Sequence, residues 1–350
     1  FKYTFKSLEN LNFHEKYSKK IHHIRDELNL NTLFKKPKVE DLLFTTITNP
    51  EEKEVVVLFQ GDSWMQQLTS PVDDNFISVE LVKKFKINKK VGFINGGTGS
   101  YSPSVMSLQL DVLEDDFKIF PNIIIAYIDQ TDIGDENCRY KNNKVYEDGV
   151  LKSIQPEAYL MYRDLFNYSR IYGLSKIFLK DSSKISKTFH LINFKFKFGI
   201  NKSSIRFYRK YISNLESDKE KITKCYASHI LNYLIDPNDS DIKYFEDSVR
   251  EYIKKIDQKK HIQKLILVTA PHKENFNPNG LYKLNVSDLV DGVIKNKKNI
   301  THINFSKILL NDKNFEHENI WHIDNMHLDS NTHGKLFIQK ILDELSKYLL

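Results

Sequence analysis

Two short segments near opposite ends of a 350-residue chain hold side chains able to form a proton relay. The first, Gln60-Gly61-Asp62-Ser63-Trp64, follows an apolar run and reaches its serine through a glycine, which permits a tight turn that projects the hydroxyl. A serine hydroxyl is a poor nucleophile until a neighbouring base takes its proton. The second segment, His322-Ile323-Asp324-Asn325-Met326-His327-Leu328, offers that base. Its short spacer lets carboxylate and imidazole project from one loop, so Asp324 can fix the tautomer of His327 while the other ring nitrogen faces Ser63. His322 and His333 are rival bases, and either motif alone is weak.

Two polar blocks lie between these ends. Asn95-Gly96-Gly97-Thr98-Gly99 is a backbone able to approach a substrate closely and aim N–H groups at an oxyanion, or else an ordinary glycine-rich turn. Asp129-Gln130-Thr131-Asp132 offers side-chain donors at a comparable place. The carboxylates Asp129, Asp132, Asp135 and Glu136 do not match a calcium-loop spacing, so they are read as holding the turn, with no metal and no cofactor expected. His272, after a further apolar run, is a candidate for touching substrate, as are Trp64 and Asp132.

These segments need a frame that makes them neighbours. Apolar runs at 54–59, 91–95, 122–128 and 264–268 fit buried parallel strands, and 300–305 alternates as an edge strand would. Helical spacing appears at 103–117, where Val105, Leu108, Val112 and Leu113 share a face, and again at 245–256 and 334–350. Strands alternating with helices predict an α/β fold with a mainly parallel, five-stranded sheet. Residues 1–50 read as a helical N-terminal extension, 51–140 with 241–350 as the core, and 141–240 as an inserted cap or side subdomain. Within that insertion, 194–198 alternates like a half-buried strand and 204–215 looks helical.

Gly-Asp-Ser after the first strand, Asn-x-Gly after the second, a polar block ending in Asp after the third, and Asp-x-x-His before the last helix form a specific order. In that order the chain resembles the SGNH (GDSL-like) hydrolases over roughly 54–138 and 260–350. The resemblance implies a three-layer α/β/α, flavodoxin-like core and chemistry through an acyl-serine intermediate. It makes Ser63 the nucleophile and a backbone oxyanion donor, Gly97 a second N–H donor, His327 the general base and acid, and Asp324 its orienting acid. One block departs from the family. Thr131 stands where an oxyanion-binding Asn belongs, and Gln130 carries the matching amide one residue early, so either could be the third donor.

The family's habit points to carboxylic esters, with O-acetyl groups on a carbohydrate preferred. An O-acyltransferase using the same triad to reach a glycan hydroxyl, and a non-catalytic glycan- or envelope-binding protein on the same fold, are the alternatives. Composition is that of a globular protein, with 40% hydrophobic and 28% charged residues. The net charge of +6 is uneven: 180–224 holds twelve Lys/Arg against four Asp/Glu, a stretch that suits an acidic glycan or association with a membrane or envelope surface, or is simply a solvated face. No nucleic-acid motif accompanies it. Two cysteines, Cys138 and Cys225, allow a disulfide or two free thiols. The sequence starts at Phe1, which leaves room for a targeting or anchoring segment ahead of it, and a cell-envelope or extracytoplasmic location is favoured over a cytoplasmic one. Nothing in the sequence sets the oligomeric state.

Overall fold

The computed structural model describes residues 17, 20–21, 43–48, 54–67, 91–154, 227–277, 279–295, 297, 299–312, 326–327 and 333–349. The elements run β1 (Thr45–Thr48), β2 (Val55–Gln60), α1 (Ser63–Gln67), β3 (Val91–Asn95), α2 (Pro103–Phe117) and β4 (Ile123–Ile128). A short helical turn, α3 (Asp132–Gly134), then leads into a π-helical turn, Asp135–Tyr140, and a hairpin of β5 (Lys144–Glu147) and β6 (Val150–Ile154). After the undescribed stretch come α4 (Ala227–Ile235), α5 (Asp239–Asp257), β7 (Lys264–Thr269), α6 (Val286–Ile294), β8 (Ile300–Asn304), α7 (Phe305–Leu310) and α8 (His333–Leu349).

Burial explains the layering. Every residue of β4, IIIAYI, is buried, and β2 buries all but its first. A strand apolar on both faces needs cover on both, which parallel sheets obtain from two layers of helices. Alternate residues supply the two faces. Val56, Leu58, Ile124 and Ala126 pack with α2, α5 and α6 through side chains such as Leu108, Phe245 and Val290. Val57, Phe59, Ile125 and Tyr127 pack with α1, α7 and α8 through Met65, Leu309 and Phe337. The result is an α/β fold of three layers.

The main sheet has six strands in the order β1-β3-β2-β4-β7-β8, one more than the five expected. The five expected strands are all present and pair in parallel, with β8 at one edge. The sixth, β1, pairs antiparallel with β3 at the other edge and comes from the segment read as a helical extension. Its sequence, TTIT, is entirely β-branched, and Leu43 and Phe44 just before it are buried in the core, so this stretch favours a strand. Residues 227–257 also belong to the core: Ile230 and Leu234 are buried, and Gly134 lies so close that an added Cβ would stand 2.4 Å from the Ile230 carbonyl oxygen. The runs at 194–198 and 204–215 lie outside the described residues.

Strand order places the functional loops. From β2 the chain passes to β3 on one side and then to β4 on the other, so loops leaving the carboxyl ends of β2 and β4 diverge and leave a crevice between them. A buried polar spine braces this end of the sheet. Tyr252 of α5 donates to Gln60 Oε1 (2.7 Å), Gln60 Nε2 donates to Gln109 Oε1 (2.9 Å), and Gln109 Nε2 donates to the carbonyl of Gly96 (2.6 Å). Replacing Gln109 with Met keeps the volume but removes its bonds to Gln60 Nε2 and to the carbonyls of Gly96 and Leu43. Each hydrogen bond lost costs about 0.5–1.5 kcal/mol. Gln109→Met is thus expected to lower the denaturant-unfolding free energy by about 2–4 kcal/mol, whereas a loss under about 0.5 kcal/mol would contradict the spine's role.

Candidate active site

The turn after β2 is built for close packing. Gly61 has φ 145°, and a Cβ there would sit 2.9 Å from both the Cβ and the carbonyl oxygen of Tyr127. Asp62 then caps α1: its Oδ1 accepts from Trp64 N–H (2.9 Å) and its carbonyl from Gln66 N–H (3.0 Å). Ser63 is the first residue of the helix. Its Oγ lies 3.0 Å from Nε2 of His327. The Trp64 ring stacks on the His327 imidazole at 6.1 Å between centroids and 19° between planes, and so limits the ring's orientation. Asp324 and the rival His322 lie outside the described residues, and His333 opens α8.

The loop after β3 engages within itself the Gly97 N–H, the second oxyanion donor that the resemblance implies. The Gly97 N–H donates to Asn95 Oδ1 at 2.7 Å, and an added Cβ would stand 2.4 Å from Gln66 N. Gly97 thus serves the close approach of this loop to α1, and Asn95 is tied there by its own bond to the Met65 carbonyl (2.6 Å). Three residues on, Ser100 lines the same cavity as Ser63. Its φ of 65° is unusual for a residue with a Cβ. Among the described residues, neither the Ser100 N–H nor the Ser63 N–H has a hydrogen-bond partner. No glycine signals Ser100 in the sequence, so residue type alone could not single it out.

The loop after β4 centres on Asp129. Its carboxylate accepts from Thr131 N–H (3.1 Å), Thr131 Oγ1 (2.7 Å) and Tyr127 Oη (3.1 Å), and it faces Nε2 of His272 at 3.2 Å. His272 is buried and lines the cavity, with its other ring nitrogen 3.5 Å from the Tyr282 hydroxyl. Thr131 also lines the cavity, but its hydroxyl proton goes to Asp129. Gln130 is turned away: its Nε2 donates to the Ala270 carbonyl (2.8 Å) and its Oε1 accepts from Val286 N–H (2.9 Å), so it bridges to α6 instead of facing an oxyanion. Asp132 is fully buried, accepts from Asp129 N–H (3.2 Å) and does not line the cavity; it holds the loop from below. The sequence missed Asp62, Ser100, Asp129 and Met326 as lining groups and gave no hint that Asp129 and His272 pair.

Burial sets these carboxyls apart. It pushes Asp62 well above the usual carboxylate range, aided by the charge of Asp129. Burial would also raise Asp129, but the charge and hydrogen bonds of His272, with those of Thr131, outweigh it and hold this carboxyl well below the usual range. Asp132 is pushed far up by burial and by the charges of Asp62 and Asp129. One cavity is therefore lined by a carboxyl shifted upward, Asp62, and another shifted downward, Asp129. The cavity has a volume of about 110 Å³ and is lined by Asp62, Ser63, Trp64, Ser100, Asp129, Thr131, His272, Met326 and His327.

No family model and no curated protein matches the chain. Solved structures similar to it include a catalytic mutant of Axe2, an acetylxylan esterase from Geobacillus stearothermophilus, with a TM-score of 0.39 and 11% identity over 83% of this chain and 93% of that one. The psychrotrophic esterase EstA from Pseudoalteromonas sp. gives a TM-score of 0.38 and 10% identity over 85% of this chain and 99% of that one. The acetyl xylan esterase AlAXEase gives a TM-score of 0.39 and 13% identity over 83% and 99%. Likeness at this level bears on neither activity nor substrate.

Asp135, beside this cluster, provides a test of the electrostatics. Burial raises its carboxyl from 3.8 to about 7, opposed by Arg139 and reinforced by Asp129 and Glu136. Between those values the folded chain binds more protons than the unfolded one. The contribution to stability is therefore complete below about 3.8 and is lost as pH rises through 7. Asp135→Asn removes the titration, so the variant is expected to gain on the wild type by about 1–3 kcal/mol between pH 4 and pH 8. Urea unfolding of both proteins at the two pH values measures this; a difference that stays constant would contradict it.

Proposed function

We propose that this protein is a serine hydrolase that cleaves carboxylic esters through an acyl-serine intermediate. The observation that carries the reading is the 3.0 Å approach of Ser63 Oγ to His327 Nε2 at the rim of a cavity. That distance is within reach for direct proton transfer. In the first step the Ser63 oxygen bonds to the acyl carbon as its proton passes to His327. The ester C–O bond then breaks, and the departing alkoxide takes that proton. Water next attacks the acyl-serine, giving its proton to His327; the acyl–Oγ bond breaks and Ser63 recovers its proton as the carboxylic acid leaves. Asp324 is proposed to hold the imidazole, as its spacing from His327 suggests. The N–H groups of Ser63 and Ser100 are proposed to receive the oxyanion, in place of the pairing with Gly97.

The preferred substrate is an O-acetyl group on a carbohydrate. The acetyl choice, like the carbohydrate, follows the family's habit, and the cavity beside Ser63 is where the acyl group would sit. The carbohydrate alcohol rests on the family resemblance of the motifs and on the positive balance of 180–224. An envelope or extracytoplasmic location is proposed as well, because Cys138 is in a disulfide, a bond that persists in oxidising compartments. Alkylating the unfolded, unreduced chain tests that proposal: Cys138 is expected to stay unmodified, and modification of it would remove the support.

Hydrolysis of p-nitrophenyl acetate and covalent labelling by a fluorophosphonate test the chemistry. Ser63→Ala should take no label, and Ser63→Ala and His327→Ala should each lose at least about a thousandfold in kcat. Equal labelling or turnover by Ser63→Ala would remove the nucleophile and leave a glycan-binding role. Adding an oligosaccharide acceptor to the active protein separates the fates of the acyl group: free acetate supports hydrolysis, and an acetylated sugar supports transfer.

A further inference from the structure

We propose that Arg139 is a positioning residue for the oxyanion hole, holding Ser100 in the left-handed conformation that presents its N–H to the cavity. The inference rests on the ester-cleaving reading above and adds a device to it. Ser100 has φ 65°, where its Cβ crowds the backbone, so the conformation must be imposed by its surroundings. Both ends of the residue are held from one place. Arg139 Nη1 donates to Ser100 Oγ at 2.7 Å, and the Tyr140 hydroxyl donates to the Ser100 carbonyl oxygen. The guanidinium also lies against a carboxyl, with Nε 3.0 Å from Asp135 Oδ1.

Arg139 and Tyr140 belong to the π-helical turn Asp135–Tyr140, whose Glu136 secures the next residues of the same loop. Glu136 accepts from Ser102 Oγ (2.5 Å), Ser104 N–H (2.8 Å) and Ser104 Oγ (2.8 Å), and pairs with Lys144 at 2.9 Å. With Ser102 and Ser104 fixed on one side, a hold at Ser100 leaves its peptide little freedom. The side-chain bond to Arg139 uses only an Oγ lone pair, so the backbone N–H stays available to a ligand. Arg139 therefore acts on the reacting carbonyl through Ser100 and need not touch substrate.

A purely structural salt bridge makes different predictions, and steady-state kinetics with p-nitrophenyl acetate on the full chain separates them. Arg139→Met and Ser100→Ala remove the same hydrogen bond from its two ends. Each is expected to lower kcat about tenfold with KM within about twofold, because a displaced donor is missed in the transition state more than in the bound ester. The double variant should lose about the same tenfold, not a hundredfold, since one interaction cannot be lost twice. Folded variants that keep kcat, that change only KM, or whose losses multiply would overturn the inference. Should Arg139→Met fail to fold, Ser100→Ala decides alone, because it leaves the Arg139–Asp135 pair in place, and an unchanged kcat overturns it. A wild-type protein without Ser63-dependent turnover would overturn the ester-cleaving reading and this inference with it. Ser63-dependent turnover that is indifferent to Arg139 and Ser100 would overturn this inference alone.

Discussion

The bond between Ser63 Oγ and His327 Nε2 joins residues 264 positions apart, and most of the structure serves to make those two atoms neighbours. Local propensity cannot do this. A parallel sheet can, because it sends the end of every strand to one edge, so that loops far apart in sequence share a rim. The apolar runs of β2 and β4 are therefore the physical basis of the site, although none of their apolar side chains lines the cavity. Burying them on both faces fixes strand order, and strand order fixes which loops meet.

Beneath the rim the protein holds polar groups in defined states instead of excluding them. Asp129 collects Tyr127, Thr131 and His272 and stays ionised, while Asp62 and Asp132 nearby are pushed toward the protonated form. Like charges at such separations cannot all persist without water, so the pair formed with His272 decides which carboxyl keeps its charge. Around them, Gln60, Gln109 and Tyr252 satisfy one another and the Gly96 carbonyl. Fully paired networks of this kind make a buried polar region rigid. The loop carrying Ser100 is held by a separate set of bonds from Glu136, Arg139 and Tyr140.

Several elements could be read in advance because they depend on neighbours in sequence. The five parallel strands announce themselves as short apolar runs, and α2 shows its face through Val105, Leu108 and Val112. Ser63 and His327 stand out only together, because each motif is weak alone and it is their order along the chain that joins them. β1 has β-branched residues throughout, but four residues at an edge become a strand only by pairing with β3. α4 and α6, at nine residues each, fell below what periodicity alone could separate from loop.

The sequence by itself determined which segments are apolar enough to be buried and which residue types are available for nucleophile and base, since both are properties of single side chains and their spacing. Tertiary structure decided the rest. Gly97 and Gln130 carry suitable donors, yet packing against α1 engages one and a bridge to the Ala270 carbonyl and Val286 N–H engages the other. Ser100 carries no mark in the sequence, yet the π-helical turn holds it at the cavity with its N–H unengaged among the described residues. A hydrogen-bonding group serves only where no nearer partner claims it, and which partner is nearer is settled by the folded chain alone.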